Sequence, residues 1–176
     1  MIKINKIAVF DLDGTLWKVN SHYELLNLFY KTNFFTSFIY RCLAKITPLL
    51  FEKIRNFYFE KIPDTFIAQI NFNFCDNVVE LLNIKKSQGY EIIIVSNAPR
   101  ELIVSNAAKR LNCYYLCAVI GEKLKALKRN YEWKTLFVCT DNTTDSDLLG
   151  VADDYYLIIP NHRVGKKFKS LGFTND

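Results

Sequence analysis

Two acids one residue apart, Asp11 and Asp13, are the first groups in this chain that could do chemistry. They follow Lys6-Ile7-Ala8-Val9-Phe10, a run whose β-branched and aromatic content reads as a buried strand. Gly14 comes directly after them and lets the chain turn. Carboxylates this close repel, so a cation or a shared proton must relieve them. In an open α/β sheet the carboxyl ends of strands are where ligands sit. A bare D-x-D serves equally well as a strand closing in an Asx-type turn. The longer string Asp11-Leu12-Asp13-Gly14-Thr15-Leu16 is far more specific.

Three further groups fall at predicted element ends. Ser96, with Asn97 beside it, ends the apolar run 90–95. Its hydroxyl and the backbone N–H groups of a following helix are ready donors to a phosphate, and a serine that merely caps that helix is the plainer alternative. Lys123 opens a basic helix, where a cation works against the macrodipole and needs another reason to be there. A bound anion would supply one, although a lysine among Lys125, Lys128 and Arg129 is also ordinary solvated surface. Asp141 and Asp145 lie four apart, so one helical turn could aim both at a single point, as Mg²⁺ requires. Asp147 and Asp153 read as solvated surface.

The elements that must position these groups show in the periodicity. From Asn20 to about Asp76 no strand-like run occurs, and Tyr23, Leu26, Phe29 and Tyr30 recur at helical spacing. Ser21 reads as an N-cap with Glu24 completing a capping box, and Pro48 and Pro63 divide the stretch into four helices. Beyond it, Asp76 reads as the cap of a helix that Gly89 ends. Strands are then expected at 90–95, 114–120, 135–139 and 155–159. Helices are expected between them, from Pro99 to about Leu111 and from Glu122 to about Asn130. Such alternation predicts an α/β fold, a Rossmann-like doubly wound parallel sheet with helices on both faces and right-handed connections. Residues 1–19 and 76–176 would form that core, with 20–75 an α-helical insertion.

The chain's 176 residues suffice for one domain with an inserted subdomain. Half the residues are apolar, and the net charge of +5 suits an anionic ligand but falls short of a nucleic-acid-binding stripe. The five cysteines contain no C-x-x-C pair, which favours reduced thiols over a disulfide framework or zinc site. The first strand begins almost at once, leaving no room for a signal peptide, so a cytoplasmic protein is expected.

Taken in order, Asp11-Leu12-Asp13-Gly14-Thr15-Leu16, Ile92-Ile93-Ile94-Val95-Ser96-Asn97, Gly121-Glu122-Lys123 and Thr140-Asp141-Asn142-Thr143-Thr144-Asp145 resemble the four motifs of the haloacid dehalogenase superfamily. The resemblance covers nearly the whole chain, and Thr140 stands where that pattern usually has glycine. It implies a Mg²⁺-dependent phosphomonoesterase in which Asp11 is the nucleophile and Asp13 the acid–base. Ser96, Asn97 and Lys123 (Lys125 being the rival) would bind phosphate. Asp11, Asp13 through its backbone carbonyl, and Asp141 would hold the metal, with Thr15 and Asp145 in support. The insertion after the first motif resembles the cap of the phosphoserine-phosphatase-like branch, and the substrate implied is a small phosphorylated metabolite. A non-catalytic relative that binds a phosphorylated ligand is the competing class.

The insertion is unusually aromatic: half of the chain's Phe, Tyr and Trp residues lie between Phe29 and Phe74. Residues 34–51 could almost span a bilayer, but Arg41 and Lys45 interrupt the run and Pro48 breaks it. An ordinary small core is one explanation. The other is a surface peripheral to a membrane, presenting a lipid or polyprenyl phosphate to the site through its head group. The basic run 162–169 reads as solvated surface.

Overall fold

The computed structural model describes residues 1–175. Strand β1 (Ile2–Lys3) leads into β2 (Lys6–Phe10). Four helices follow, α1 (Ser21–Tyr30), α2 (Phe38–Ile46), α3 (Pro48–Glu60) and α4 (Asp64–Gln69), with a 3₁₀ turn at Phe34–Thr36. The chain continues through α5 (Asp76–Ser87), β3 (Glu91–Ser96), α6 (Glu101–Leu111), β4 (Tyr114–Cys117), α7 (Lys123–Asn130) and β5 (Tyr131–Glu132). It closes with β6 (Thr135–Thr140), a 3₁₀ turn at Thr143–Asp145, α8 (Ser146–Leu149), β7 (Asp154–Leu157) and α9 (His162–Ser170). By its contacts the chain divides into two units, Met1–Lys18 with Asn73–Asp176, and Val19–Phe72.

In the first unit β4, β3, β2, β6 and β7 pair side by side, all parallel, giving the expected doubly wound sheet. Successive side chains of a strand face opposite ways, so each apolar run supplies two faces. Ile7, Val9, Ile93, Val95, Leu136 and Val138 pack with Leu127 of α7, Leu148 and Leu149 of α8 and Phe168 of α9. On the other face Phe10 meets Phe137, and Lys85 of α5 lies over the Phe137 ring at 3.9 Å. Two-sided burial is why these strands read as continuous apolar runs without alternation. The sheet order reverses at β2 and β6: the chain winds outward through β3 and β4, then returns to lay β6 and β7 on the other side. That switch point is the place where open α/β sheets bind ligands.

Several boundaries move from those the periodicity predicts. The α1 cap is Asn20, whose side chain accepts from Tyr23 N–H, and Ser21 is the first helical residue. Asp76 begins α5 instead of capping it, with Cys75 at the N-cap position. Helix α6 starts at Glu101, two residues after Pro99. The short parallel pair β1–β5 was not anticipated; its strands are only two residues long, too short to carry a period. All five cysteines are free thiols.

The segment Val19–Phe72 is helical throughout its regular structure and packs around aromatic rings. Tyr40 is buried and meets Tyr23, Phe34, Phe35 and Phe51 edge to face, with centroids 5.3–5.9 Å apart. Buried Asn27 ties the 3₁₀ turn to α1: it accepts from Phe35 N–H at 3.1 Å and donates to Thr36 Oγ1 at 2.9 Å. Ser37 caps α2 and Pro48 sits in the first turn of α3, so residues 34–51 fold as three short elements. Among the described residues no helix is long and apolar enough to cross a membrane. Where this segment leaves and rejoins the first unit, Cys75 N–H donates to Leu16 O at 2.7 Å. Trp17 there bridges to Phe74, the two rings stacked at 6.2 Å.

Candidate active site

The site is built from strand ends. β2 and β6 are in register with Phe10 beside Cys139, and Asp11 N–H donates to Cys139 O at 2.9 Å. Asp11 and Asp141 therefore leave adjacent strands on the two sides of the switch point. β3 lies on the other flank of β2 and ends at the buried Ser96.

Lys123 is the centre of the charge arrangement. It is the first residue of α7 and only 1% exposed, yet its ammonium lies 2.7 Å from Asp11 Oδ1 and 2.7 Å from Asp145 Oδ2. Burial alone would lower its pKa, but the two carboxylates outweigh that and hold it above the ordinary lysine value. The reason for a cation at this helix start is thus supplied by the protein's own acids. The helix end is satisfied separately, by Asp147 Oδ2 accepting from Leu124 N–H at 3.0 Å. Lys125 points elsewhere, into an exposed pair with Glu122.

Asp11 Oδ1 also accepts from Leu12 N–H at 2.8 Å, so both of these bonds fall on one oxygen and Oδ2 takes part in neither. Asp141 is held by Thr15, which donates to its Oδ1 at 3.2 Å and accepts from its backbone N–H at 2.9 Å. Gly14 has φ +78°, and a Cβ there would run into the Asp141 carboxylate, with Cγ at 2.6 Å. Glycine is thus required twice, for the turn and for the approach of Asp141. Asp13 is half-buried in the same turn, at a bridge to Trp17.

Burial, with the nearby charge of Asp11, pushes the Asp141 carboxyl up to about 7. Asp145 is also raised by burial, to about 6, against the pull of Lys123. This acid-rich pocket favours a cation. Among the described residues no three His, Cys, Asp or Glu side chains gather as a metal cage. A cation here would have two carboxylates, Asp11 and Asp141, and draw its remaining oxygens from backbone, water and ligand. That donor set fits Mg²⁺, which keeps waters and takes one or two carboxylates.

Two expected geometries change. Asp145 closes a 3₁₀ turn and serves Lys123, while Asp141 is anchored on Thr15 and Gly14, so one helical turn does not present both acids. Ser96 does not cap a helix, because α6 begins five residues later; its Oγ accepts from Ala98 N–H at 3.1 Å. Asn97 donates one side-chain amide N–H to Ala118 O at 2.7 Å, which leaves the second free to donate elsewhere.

Thr140, which the sequence marks only as standing in place of a glycine, has a role of its own. It is buried, donates to Asp145 Oδ2 at 2.7 Å and accepts from Asn142 N–H at 3.0 Å. Thr140 and Lys123 therefore converge on one oxygen of Asp145, whose Oδ1 is buried with no hydrogen-bond partner among the described residues. A hydroxyl residue directly before a strand-end acid was the available signal. Asp147 and Asp153 are not idle surface either: each carboxylate accepts a backbone N–H, Asp153 from Leu136 at 2.8 Å.

Residues 8–149 match the family model for haloacid dehalogenase-like hydrolases. Among curated proteins none matches the chain. Among solved structures, an apo phosphoserine phosphatase superposes with a TM-score of 0.65 at 14% identity, covering 93% of this chain and 90% of the other. A phosphoserine phosphatase from T. onnurineus gives 0.60 at 17% identity over 89% and 86%. A protein of unknown function from Bordetella pertussis Tohama I gives 0.64 at 11% identity over 97% of each. At these identities the likeness is one of fold.

Proposed function

Because this chain belongs to the haloacid dehalogenase-like hydrolase family, we propose that it hydrolyses the phosphate monoester of a small metabolite through an aspartyl-phosphate on Asp11. One observation carries this reading: a nearly inaccessible lysine is clamped between Asp11 and Asp145 at the switch point. A lysine buried with two acids is costly to keep unless the charge is used. With Asp11 as the nucleophile, this cation would stand beside the phosphate dianion that Asp11 meets.

Lys123 and the Leu12 N–H fix Asp11 through Oδ1, which leaves Oδ2 to attack phosphorus. The new O–P bond forms as the ester P–O bond breaks, and Asp13 gives its proton to the departing alkoxide. Asp13 then takes a proton from water, which attacks the phospho-Asp11 and releases inorganic phosphate. Splitting one hard displacement into two lowers each barrier. Ser96 Oγ accepts from Ala98 N–H, leaving its own O–H to donate to a phosphate oxygen. Lys123 offsets the charge that builds on those oxygens. Mg²⁺, held by Asp11, Asp141 and the Asp13 backbone carbonyl, would supply charge neutralisation on the phosphoryl oxygens.

The test is phosphate release from p-nitrophenyl phosphate by the full chain, in Mg²⁺ and in EDTA, for wild type and Asp11→Asn. Metal-dependent release that the variant loses is expected. Release that survives in Asp11→Asn, or is indifferent to EDTA, would overturn the reading.

A further inference from the structure

An apolar side chain left in water is unremarkable singly, but a row of them on one helix face needs a partner. In α2, Phe38 is 80% exposed, Ile39 64% and Ile46 75%, with Cys42 and Leu43 between them. At about 100° per residue these five positions fall within an arc of about 140°. Tyr40, on the opposite side, is the one α2 side chain buried against the aromatic cluster. Beyond Thr47, α3 leaves Leu49 75% exposed and Leu50 and Phe57 more than half exposed.

The charges along α2 and the turns beside it have one sign. From Leu25 to Phe51 there is no acidic residue, while Lys31, Arg41 and Lys45 lie within the same stretch. On α2, Arg41 and Lys45 flank the Phe38 edge of the stripe and are exposed. On α3, Lys53 and the exposed Glu60 share the arc of Leu49, Leu50 and Phe57, and Lys61 lies over the Phe57 ring at 4.0 Å, so the cationic edge is that of α2. A second copy of the same face would set these cations against one another. A protein groove would have to match an apolar stripe with acids along its edges. An anionic bilayer surface satisfies both features at once, taking the apolar side chains below its phosphates and the cations at them.

We infer that α2 and the start of α3 form a peripheral docking surface for membranes rich in anionic phospholipid. Helix α2 is nine residues, about 14 Å, so it lies along the interface and does not cross. The inference rests on Val19–Phe72 alone and stands whether or not the strand-end site cleaves phosphate.

The test is flotation of the full chain with vesicles of phosphatidylglycerol and phosphatidylcholine, against vesicles of phosphatidylcholine alone. Binding to the anionic vesicles is expected, weakening as salt is raised. Arg41→Gln with Lys45→Gln should weaken it by about fivefold per cation removed. Phe38→Ser with Ile46→Ser should weaken it by more than tenfold. Both positions are exposed, so circular dichroism and phosphate release should be unchanged. No flotation with anionic vesicles, or flotation indifferent to Phe38→Ser/Ile46→Ser, overturns the inference. So does a dimer in solution that those substitutions dissociate, since a second copy would then be the occupant.

Discussion

Replacing Asp141 by Asn should make the metal-free protein more stable at alkaline pH, although it removes a residue of the site. The Asp141 carboxyl is raised from 3.8 to about 7 by burial and by the charge of Asp11. An acid raised in the native state holds its proton longer folded than unfolded. Stability is therefore lost as pH climbs from about 4 to about 7 and is flat beyond. A gap of about three pH units at 1.36 kcal/mol each makes ionised Asp141 a liability of up to about 4 kcal/mol at pH 8. Asn keeps the oxygen that accepts from Thr15 and removes the charge. In EDTA at pH 8, Asp141→Asn should exceed wild type by about 2–4 kcal/mol, a rise of 1–2 M in urea midpoint at about 2 kcal/mol per molar. At pH 4 the two should coincide. Asp145, raised in the same direction, leaves the variant a shallower residual slope. Mg²⁺ should restore wild type at pH 8 and leave the variant unmoved, because a cation stabilises only the state that binds it. A wild type as stable at pH 8 as at pH 5 without metal, or a variant less stable than wild type at pH 8, would refute the reasoning.

Lys123→Met should cost about 3–5 kcal/mol in urea unfolding at pH 7, because it strands the Asp11 and Asp145 carboxylates in a buried site. It should also abolish phosphate release, whereas Lys125→Met should change neither by more than a few tenths of a kcal/mol or a factor of two. Thr140→Val removes a buried hydrogen bond to Asp145 and should cost about 1–3 kcal/mol, with kcat reduced and KM little changed. Thr140→Ser retains the hydroxyl and should recover most of both, measured by steady-state kinetics beside urea melts.

The sheet was legible because both of its faces are buried. Ile92-Ile93-Ile94-Val95 and Leu136-Phe137-Val138-Cys139 can be little else, and the strand-end residues follow from them. β4 was read three residues too long because it is an edge strand of half-exposed residues, and nothing in Ala118-Val119-Ile120 marks its end. Caps were misassigned where two candidates adjoin, as with Asn20 and Ser21, since the turn decides between them and the turn is tertiary. The same limit applies at the site. The types Asp, Ser and Lys could be picked out along the chain, but Lys123 meets acids at positions 11 and 145, and no spacing rule reaches that far. Thr140 drew notice only as a missing glycine; its bond to Asp145 depends on a 3₁₀ turn that the run of threonines does not announce.

The stitch formed by Leu16, Trp17, Phe74 and Cys75 has a consequence for how such a protein can change. The backbone leaves β2 after Phe10 and returns before α5 through residues already bonded to one another. The entropy of closing the intervening loop is therefore met at its base, whatever lies beyond. Loop-closure cost grows only with the logarithm of length, about 0.6 kcal/mol per doubling. Val19–Phe72 is thus an exchangeable cassette. Its length and surface can drift while Asp11, Ser96, Lys123 and Asp141 keep their places on the strand ends and helix start of the first unit. A lineage built on this frame can rewrite one contiguous block of its gene without disturbing the sheet.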